Sequence, residues 1–253
     1  MNYRKILTSL ILILLLGSCA SKKDLVYFND ANDFETLVGD NLYAYKFKTN
    51  DLVSINVSTL DPEASMPFNL FRGSQQGGFI PEQIDYIVNK DGNIDFPVIG
   101  SVKILGLTPQ EAQVLLKEKL SPYLKDPIIN IRLNNFVVTV LGQVRNPGTY
   151  PVNGEQITIF QALGLAGDLD IKGERDNVLV IRDFNGTKVY NRIDLTKKEA
   201  LNSPVYYLTQ NDVVYVEPNN SAVRTSNLDN RASILVSIAS VLITSTVILL
   251  TRN

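Results

Sequence analysis

The sequence predicts an α+β chain of two consecutive modules, each with one principal helix packed on a mixed sheet, followed by a C-terminal transmembrane α-helix. Three observations predict it. Apolar residues alternate with polar ones at Val53, Ile55 and Val57, and again at Ile129, Ile131 and Leu133, the period of half-buried strands. Thr108 with Glu111, and Thr158 with Gln161, place a hydroxyl at a helix start and Glu or Gln three residues on, the pattern of a capping box. Residues 233–250 form an 18-residue stretch without charge, bracketed by Arg231 and Arg252. As a helix it is about 27 Å long, enough for a thin hydrocarbon core.

Taken in order, the amino terminus is a secretion signal. Arg4 and Lys5 form the charged region, residues 6–16 an 11-residue apolar region too short to span a bilayer, and Gly17, Ser18 and Cys19 follow. The string LLGSC resembles a bacterial lipobox, which implies cleavage before Cys19 and acylation of its thiol. That makes residues 1–18 a lipoprotein signal peptide and residues 19–42 a polar, lipid-anchored tether. Several acyl chains on one residue give stable anchoring. Ala20 stands where related sorting signals carry an inner-membrane Asp, so by resemblance the outer membrane is favoured. Loss of residues 1–18 leaves 22 basic against 26 acidic residues, a net charge of −4.

The first module, residues 43–134, opens with the strand around 51–58. Residues 60–83, broken by Pro62, Pro67, Pro81 and several glycines, read as a long connection. Strand signals resume at 84–88 and 94–98, with Asp91–Gly92 between them as a type I′ hairpin turn. Thr108 then caps a helix with Pro109 at its first position, and Ala112, Leu115, Leu116, Leu120 and Tyr123 mark its buried face. The second module, residues 135–218, repeats strand, turns and helix: a strand at 136–142, turns at Asn146–Pro147–Gly148 and Asn153–Gly154, and a short helix closed by Gly167. Strands at 178–181, 189–193 and 213–216 complete it, the first two joined at Asn185–Gly186. Residues 219–230 form a linker and 231–252 the transmembrane helix.

These residues carry a family resemblance. The stretch YIVNKDGNIDFPVIGSVKILGLTPQEAQVLLKEKLSPYLKDPIINIRL (86–133) resembles the core of bacterial polysaccharide-export proteins. VTVLGQVRNPGTY (138–150) with TIFQALGLAG (158–167) resembles the soluble-ligand-binding β-grasp (SLBB) module that follows it in that family. Behind a lipobox, the pair resembles the Wza-like outer-membrane polysaccharide export lipoproteins. The chain departs from the pattern in two places: Phe47 to Asp51 keeps an aspartate without the usual glycines, and Gly167–Asp168 stands where a double glycine is usual.

The resemblance implies a translocon subunit passing capsular polysaccharide or exopolysaccharide from periplasm to cell surface. It implies a homo-oligomeric ring, an octamer in the resembling family, and an inner-membrane polysaccharide co-polymerase of the tyrosine-kinase type as partner. The expected location is the outer membrane, lipid-anchored with a periplasmic body. Two alternatives compete: a non-channel periplasmic lipoprotein that binds glycan or a partner, and an envelope glycosidase. Eleven Ile, Leu and Val residues within 233–250 also favour insertion into the first membrane met, the inner one.

Composition narrows the chemistry. The 253 residues include no histidine and one cysteine, which excludes His-based triads, His-rich metal sites and CxxC pairs. A net charge of −2 argues against nucleic acid as a partner. No cofactor and no metal is expected, and no catalytic residue. Glu82, Asp85, Asp91 and Asp95 supply the carboxylates a glycosidase needs, but turns and solvation account for them. Tyr206, Tyr207 and Tyr215 suit either sugar stacking or a core. Gly164 and Gly167 lack the spacing of a phosphate loop. The candidate site residues are therefore Cys19 for lipidation, and Ser233, Ser237, Ser240 and Thr244, a heptad-like hydroxyl stripe that lines a pore or packs between helices.

Cys19→Ala removes the sulfur through which acyl chains attach. Metabolic labelling with a fatty-acid analogue is expected to mark the wild type and not the variant.

Overall fold

Each module closes around its own apolar core. The computed structural model describes residues 25–36, 45–72, 82–184 and 186–228, and single helical positions between 234 and 245. In the first module, β1 (Leu52–Ser58) precedes a short helix α1 (Pro62–Ser65), a 3-10 turn (Met66–Phe68) and the small strands β2 (Phe71–Arg72) and β3 (Glu82–Gln83). Then come β4 (Tyr86–Ile87), β5 (Asn93–Phe96), β6 (Gly100–Lys103), α2 (Pro109–Leu120) and β7 (Ile128–Leu133). β1 lies between β4 and β7, antiparallel to both, and Val53, Ile55 and Val57 are buried under α2 as their alternation requires.

Helix α2 starts as the sequence dictates. Glu111 N–H donates to Thr108 Oγ1 at 3.1 Å, and Thr108 N–H donates to Glu111 Oε2 at 2.8 Å. Ala112, Leu116 and Leu120, four residues apart, are wholly buried, and Gln113 Nε2 ties the helix to the Ile129 carbonyl at 2.9 Å. Tyr123, expected on the buried face, lies beyond the helix end and is exposed.

The strand pairing differs from the expected hairpin. β4 pairs with β1, while β5 pairs with β6, a strand the sequence analysis did not assign. Asp91–Gly92 is a turn, but only Gly92 has positive φ, at 83°. Its carbonyl accepts both Ile104 and Leu105 N–H at 3.0 Å, and a Cβ there would meet Leu105 Cβ at 2.4 Å. The turn thus carries the chain from one sheet to another rather than folding a ladder on itself.

The second module contains β8 (Val137–Gly142), β9 (Gly148–Pro151), β10 (Ile157–Thr158), α3 (Ile159–Leu165), β11 (Val178–Phe184), β12 (Thr187–Ile193), a 3-10 turn (Lys198–Asn202), β13 (Tyr207–Leu208) and β14 (Val213–Val216). Its main sheet runs β12-β11-β14-β8-β9, with β8 and β14 parallel. The second capping box forms as expected, Gln161 N–H to Thr158 Oγ1 at 3.2 Å and Thr158 N–H to Gln161 Oε1 at 2.8 Å. Phe184 pairs with Thr187, so β11 and β12 are joined by a two-residue connection in which Gly186 has φ 87°; Asn185 lies outside the described residues.

One ion pair pins this sheet. Asp212 is fully buried ahead of β14 and accepts Arg182 Nη2 at 2.7 Å, Thr209 N–H at 2.7 Å and Thr209 Oγ1 at 2.9 Å. Arg182 Nε also donates to it at 3.1 Å, and Nη2 reaches the Tyr207 carbonyl at 2.9 Å.

The chain ends refine the outline. Residues 25–36, expected as part of a tether without structure, form turns docked on the second module. Phe28 and Asn29 N–H donate to the Leu195 and Thr196 carbonyls at 3.4 and 2.7 Å, Phe28 packs on Phe160 with ring centres 4.9 Å apart, and Lys198 pairs with Glu35 at 2.5 Å. The aromatic side chains Tyr27 and Phe28 supply the burial that polar composition hid. After β14, helix α4 (Asn220–Leu228) lies in the expected linker. Of the expected transmembrane helix 231–252, residues 234, 236–238, 240, 241, 244 and 245 are described and helical; the rest lie outside the described residues. Among the described residues, no helix is long and apolar enough to cross a membrane.

Two substitutions probe these cores. Leu116→Ala is expected to cost about 2–5 kcal/mol and lower the thermal midpoint. Arg182→Ala strands a buried carboxylate, which costs about 3–5 kcal/mol when one partner of such a pair is lost. Denaturant unfolding of each variant reads both losses.

Candidate functional site

Polar side chains join the two modules. Asn135 stands between β7 and β8, where its Oδ1 accepts Leu52 N–H at 2.9 Å and its Nδ2 donates to the Asn50 carbonyl at 3.1 Å. Gln210, buried, donates through Nε2 to the Asn135 carbonyl and accepts Val137 N–H at 2.8 Å. Asn211 N–H adds a bond to the Val137 carbonyl at 2.9 Å. Beside them Tyr45, from the first module, stacks on Phe136 of the second with centroids 6.0 Å apart, and Leu133 packs against both cores.

The charges at this junction are tuned by burial. Lys48 Nζ donates to Thr209 Oγ1 at 3.3 Å, and desolvation holds its pKa below the usual lysine range, opposed first by Asp212. Asp51, also buried, accepts the Tyr45 hydroxyl and Lys48 N–H, the latter at 2.7 Å. Desolvation raises its pKa in spite of those two donors.

Two grooves open here. A groove of about 350 Å³ is walled by Pro109 and Val152 and edged by Arg132, Asn134, Asn153 and Glu155. The Arg132 side chain makes no hydrogen bond or ion pair among the described residues, whereas Glu155 accepts from Gln110 Nε2 at 3.4 Å. A second cleft, of about 560 Å³, is lined by Lys48, Asn50, Asp183, Lys188 and Asn211. Planar amides, a guanidinium and a carboxylate over an apolar wall suit hydrogen bonding to a hydroxyl-rich ligand. Among the described residues, no group of three or more His, Cys, Asp or Glu is placed to hold a metal ion.

The residues singled out from sequence fall elsewhere. Cys19 and Ser233 lie outside the described residues. Ser237, Ser240 and Thr244 are helical and exposed, and Ser240 and Thr244 bond back to the Ser237 and Ser240 carbonyls at 2.8 and 2.7 Å. Asp85 accepts Asn134 Nδ2 at 2.8 Å, Asp91 is part of its turn, and Glu82 and Asp95 stand exposed on β3 and β5; none of the four lines either groove. Tyr206 and Tyr207 meet edge to face at 4.9 Å, and Tyr206 packs on Phe160 beneath the N-terminal turns. Sequence reasoning missed Asn135, Gln210, Arg182 and Asp212, whose joining contacts span 25 to 85 residues and follow no local period.

Comparison with known proteins matches this division. Residues 40–134 fit the model of the family described as polysaccharide biosynthesis/export protein, and residues 137–192 fit the SLBB domain. The chain is 25% identical over 183 residues to the EPS I polysaccharide export outer membrane protein EpsA of Ralstonia solanacearum, covering 69% of this chain and 48% of that one. It is 29% identical over 134 residues to EpsA of Ralstonia nicotianae, covering 50% of this chain and 35% of the relative. With the capsule polysaccharide export protein BexD of Haemophilus influenzae it shares 28% identity over 130 residues, 49% of this chain and 32% of that protein. The chain thus spans half or less of the length of each relative. With one core closed around residues that fit the export domain, the next around residues that fit the SLBB domain, and similarity to relatives named for polysaccharide export, residues 40–134 belong to the polysaccharide biosynthesis/export family and an SLBB domain follows them.

Proposed function

We propose that the protein is a subunit of an oligomeric outer-membrane translocon that passes capsular polysaccharide or exopolysaccharide from the periplasm to the cell surface. The observation that carries this reading is the order of the two domains in one chain, export then SLBB, together with the similarity over 183 residues to a relative named as an outer membrane export protein. Lipidation at Cys19 and a membrane span at 231–252 belong to the same reading. Ring assembly has a physical route in β12, whose seven residues form one edge of the main sheet with Val189 and Tyr190 exposed. An inner-membrane co-polymerase of the tyrosine-kinase type is the proposed donor of polymer. Deletion of the gene in a polysaccharide-producing host tests the function: surface polymer is expected to fall sharply, and undiminished surface polymer overturns it. Electron microscopy of the lipidated protein in detergent tests the assembly, rings supporting it and monomers opposing it.

The self-bonded hydroxyls of Ser240 and Thr244 support a helix in apolar surroundings, where a hydroxyl needs an internal acceptor. Cysteine substitutions scanned across 233–250 are expected to react with a water-soluble thiol reagent at 233, 237, 240 and 244 if the stripe lines water. Uniform protection identifies an anchor instead.

A further inference from the structure

Both ends of the folded body grip one loop, the connection between α3 and β11. On the N-terminal side, the Tyr27 hydroxyl donates to Asp168 Oδ1 and the Arg175 guanidinium lies 5.7 Å above the Tyr27 ring. On the C-terminal side, Asn219 N–H donates to the Lys172 carbonyl at 2.8 Å, Asn219 Nδ2 to the Ile171 carbonyl at 3.4 Å, and Lys172 Nζ to Thr225 Oγ1 of α4 at 3.4 Å. Asp168 has φ 73°, the left-handed conformation that the usual glycine adopts without strain. Its carboxylate is used twice, by Tyr27 and by Leu169 N–H at 2.7 Å. The departure from the double glycine therefore makes an anchor point for the N-terminal turns.

This loop lies at the end of the molecule opposite the first module. The parallel strands β8 and β14 begin at the junction, where Gln210, Asn211 and Asp212 meet Val137 and Thr139. They finish at Gly142 and Val216, where the loop crosses them: Asp170 N–H bonds the Gln143 carbonyl at 3.0 Å, and Gly173 pairs with Pro218. Cys19 precedes Leu25 by only six residues, a reach of about 20 Å. Residues 229–232 alone separate α4 from the apolar stretch 233–250. Two short attachments leave from one place. Around it stand apolar side chains with no cover: Ile171 is 68% exposed, Leu165 50%, and Leu25, Val26 and Val223 are exposed as well.

We propose that this end is a membrane-contacting surface, with Ile171 and Leu165 seated in the interfacial layer of the bilayer to which the chain is attached. The occupant is lipid because both attachments arrive at this patch with too little chain to hold the body away from the bilayer. An exposed isoleucine gains by partial burial among acyl chains, while the adjacent Lys172 keeps its charge at the headgroups. The inference rests on the reading of Cys19 and 233–250 as membrane attachments.

The chain has no tryptophan, so one substitution supplies a single reporter. Ile171→Trp and Leu165→Trp are made in the full lipidated protein and reconstituted into phosphatidylcholine and phosphatidylglycerol vesicles with bromine on the acyl chains. Leu60→Trp is the reference, since Leu60 is fully exposed just past the far end of β1, at the other end of the molecule. Reporters at 171 and 165 are expected to be blue-shifted and quenched by about twofold relative to the reference, as for residues shallowly buried at the interface. Flotation of the vesicles separates the outcomes. Protein that floats but is quenched no more at 171 and 165 than at 60 overturns the contact and leaves the export reading standing. Protein that does not float overturns the attachment reading, and the contact falls with it.

Discussion

The junction between the modules depends on one constraint: Asn135 and Gln210 must satisfy one another and the backbone on either side at once. Asn135 bonds the entry to β1 with both ends of its amide, and Gln210 closes over the Asn135 carbonyl and Val137 N–H. A buried amide left half satisfied costs more than it contributes, so the arrangement admits few alternatives. Everything around it inherits that geometry. The Tyr45 stack on Phe136, the shared packing of Leu133 and both grooves exist only while the clamp holds the two cores in this relation.

Helix starts and most strands were legible in the sequence because their causes are local. Thr108 with Glu111 and Thr158 with Gln161 form the boxes their spacing implies, and the alternation at Val53, Ile55 and Val57 gives the buried face. The β5–β6 pair was hidden because Gly100 to Lys103 carries a single buried apolar residue, Val102, too few for a period. The N-terminal turns were hidden for a related reason: two aromatic residues, Tyr27 and Phe28, dock a stretch rich in Asn and Asp that shows no period. Of the candidate site, the motifs that carry the family were readable, while the junction that shapes the grooves was not. Amide and guanidinium contacts made across 25 to 85 residues leave no periodic trace.

The ionisable groups that burial perturbs are committed to structure. With no histidine, the body has no imidazole to titrate near neutrality. The tyrosine hydroxyls at Tyr27 and Tyr86 are pushed further from ionisation by burial, that of Tyr86 to about 12. Lys48 and Asp51, moved by desolvation, lie within hydrogen-bonded structure at the junction. These groups hold shape. The exposed amides and the Arg132 guanidinium at the groove edge are hydrogen-bonding groups of the kind that pair with hydroxyls.

The parallel pairing of β8 with β14 has an architectural consequence. In an antiparallel closure, first and last strands would return the chain to its point of entry, and a following segment would have to double back. Here the first strand and the last run side by side in the same direction, with Gly142 so close to the Val216 carbonyl that a side chain would sit 2.0 Å from it. Entry and exit therefore fall on opposite faces. A unit wired in this way is a vertebra: copies can be threaded in series along one axis, each adding its own height and passing the chain onward, with neither the unit below nor the segment above needing a new connection.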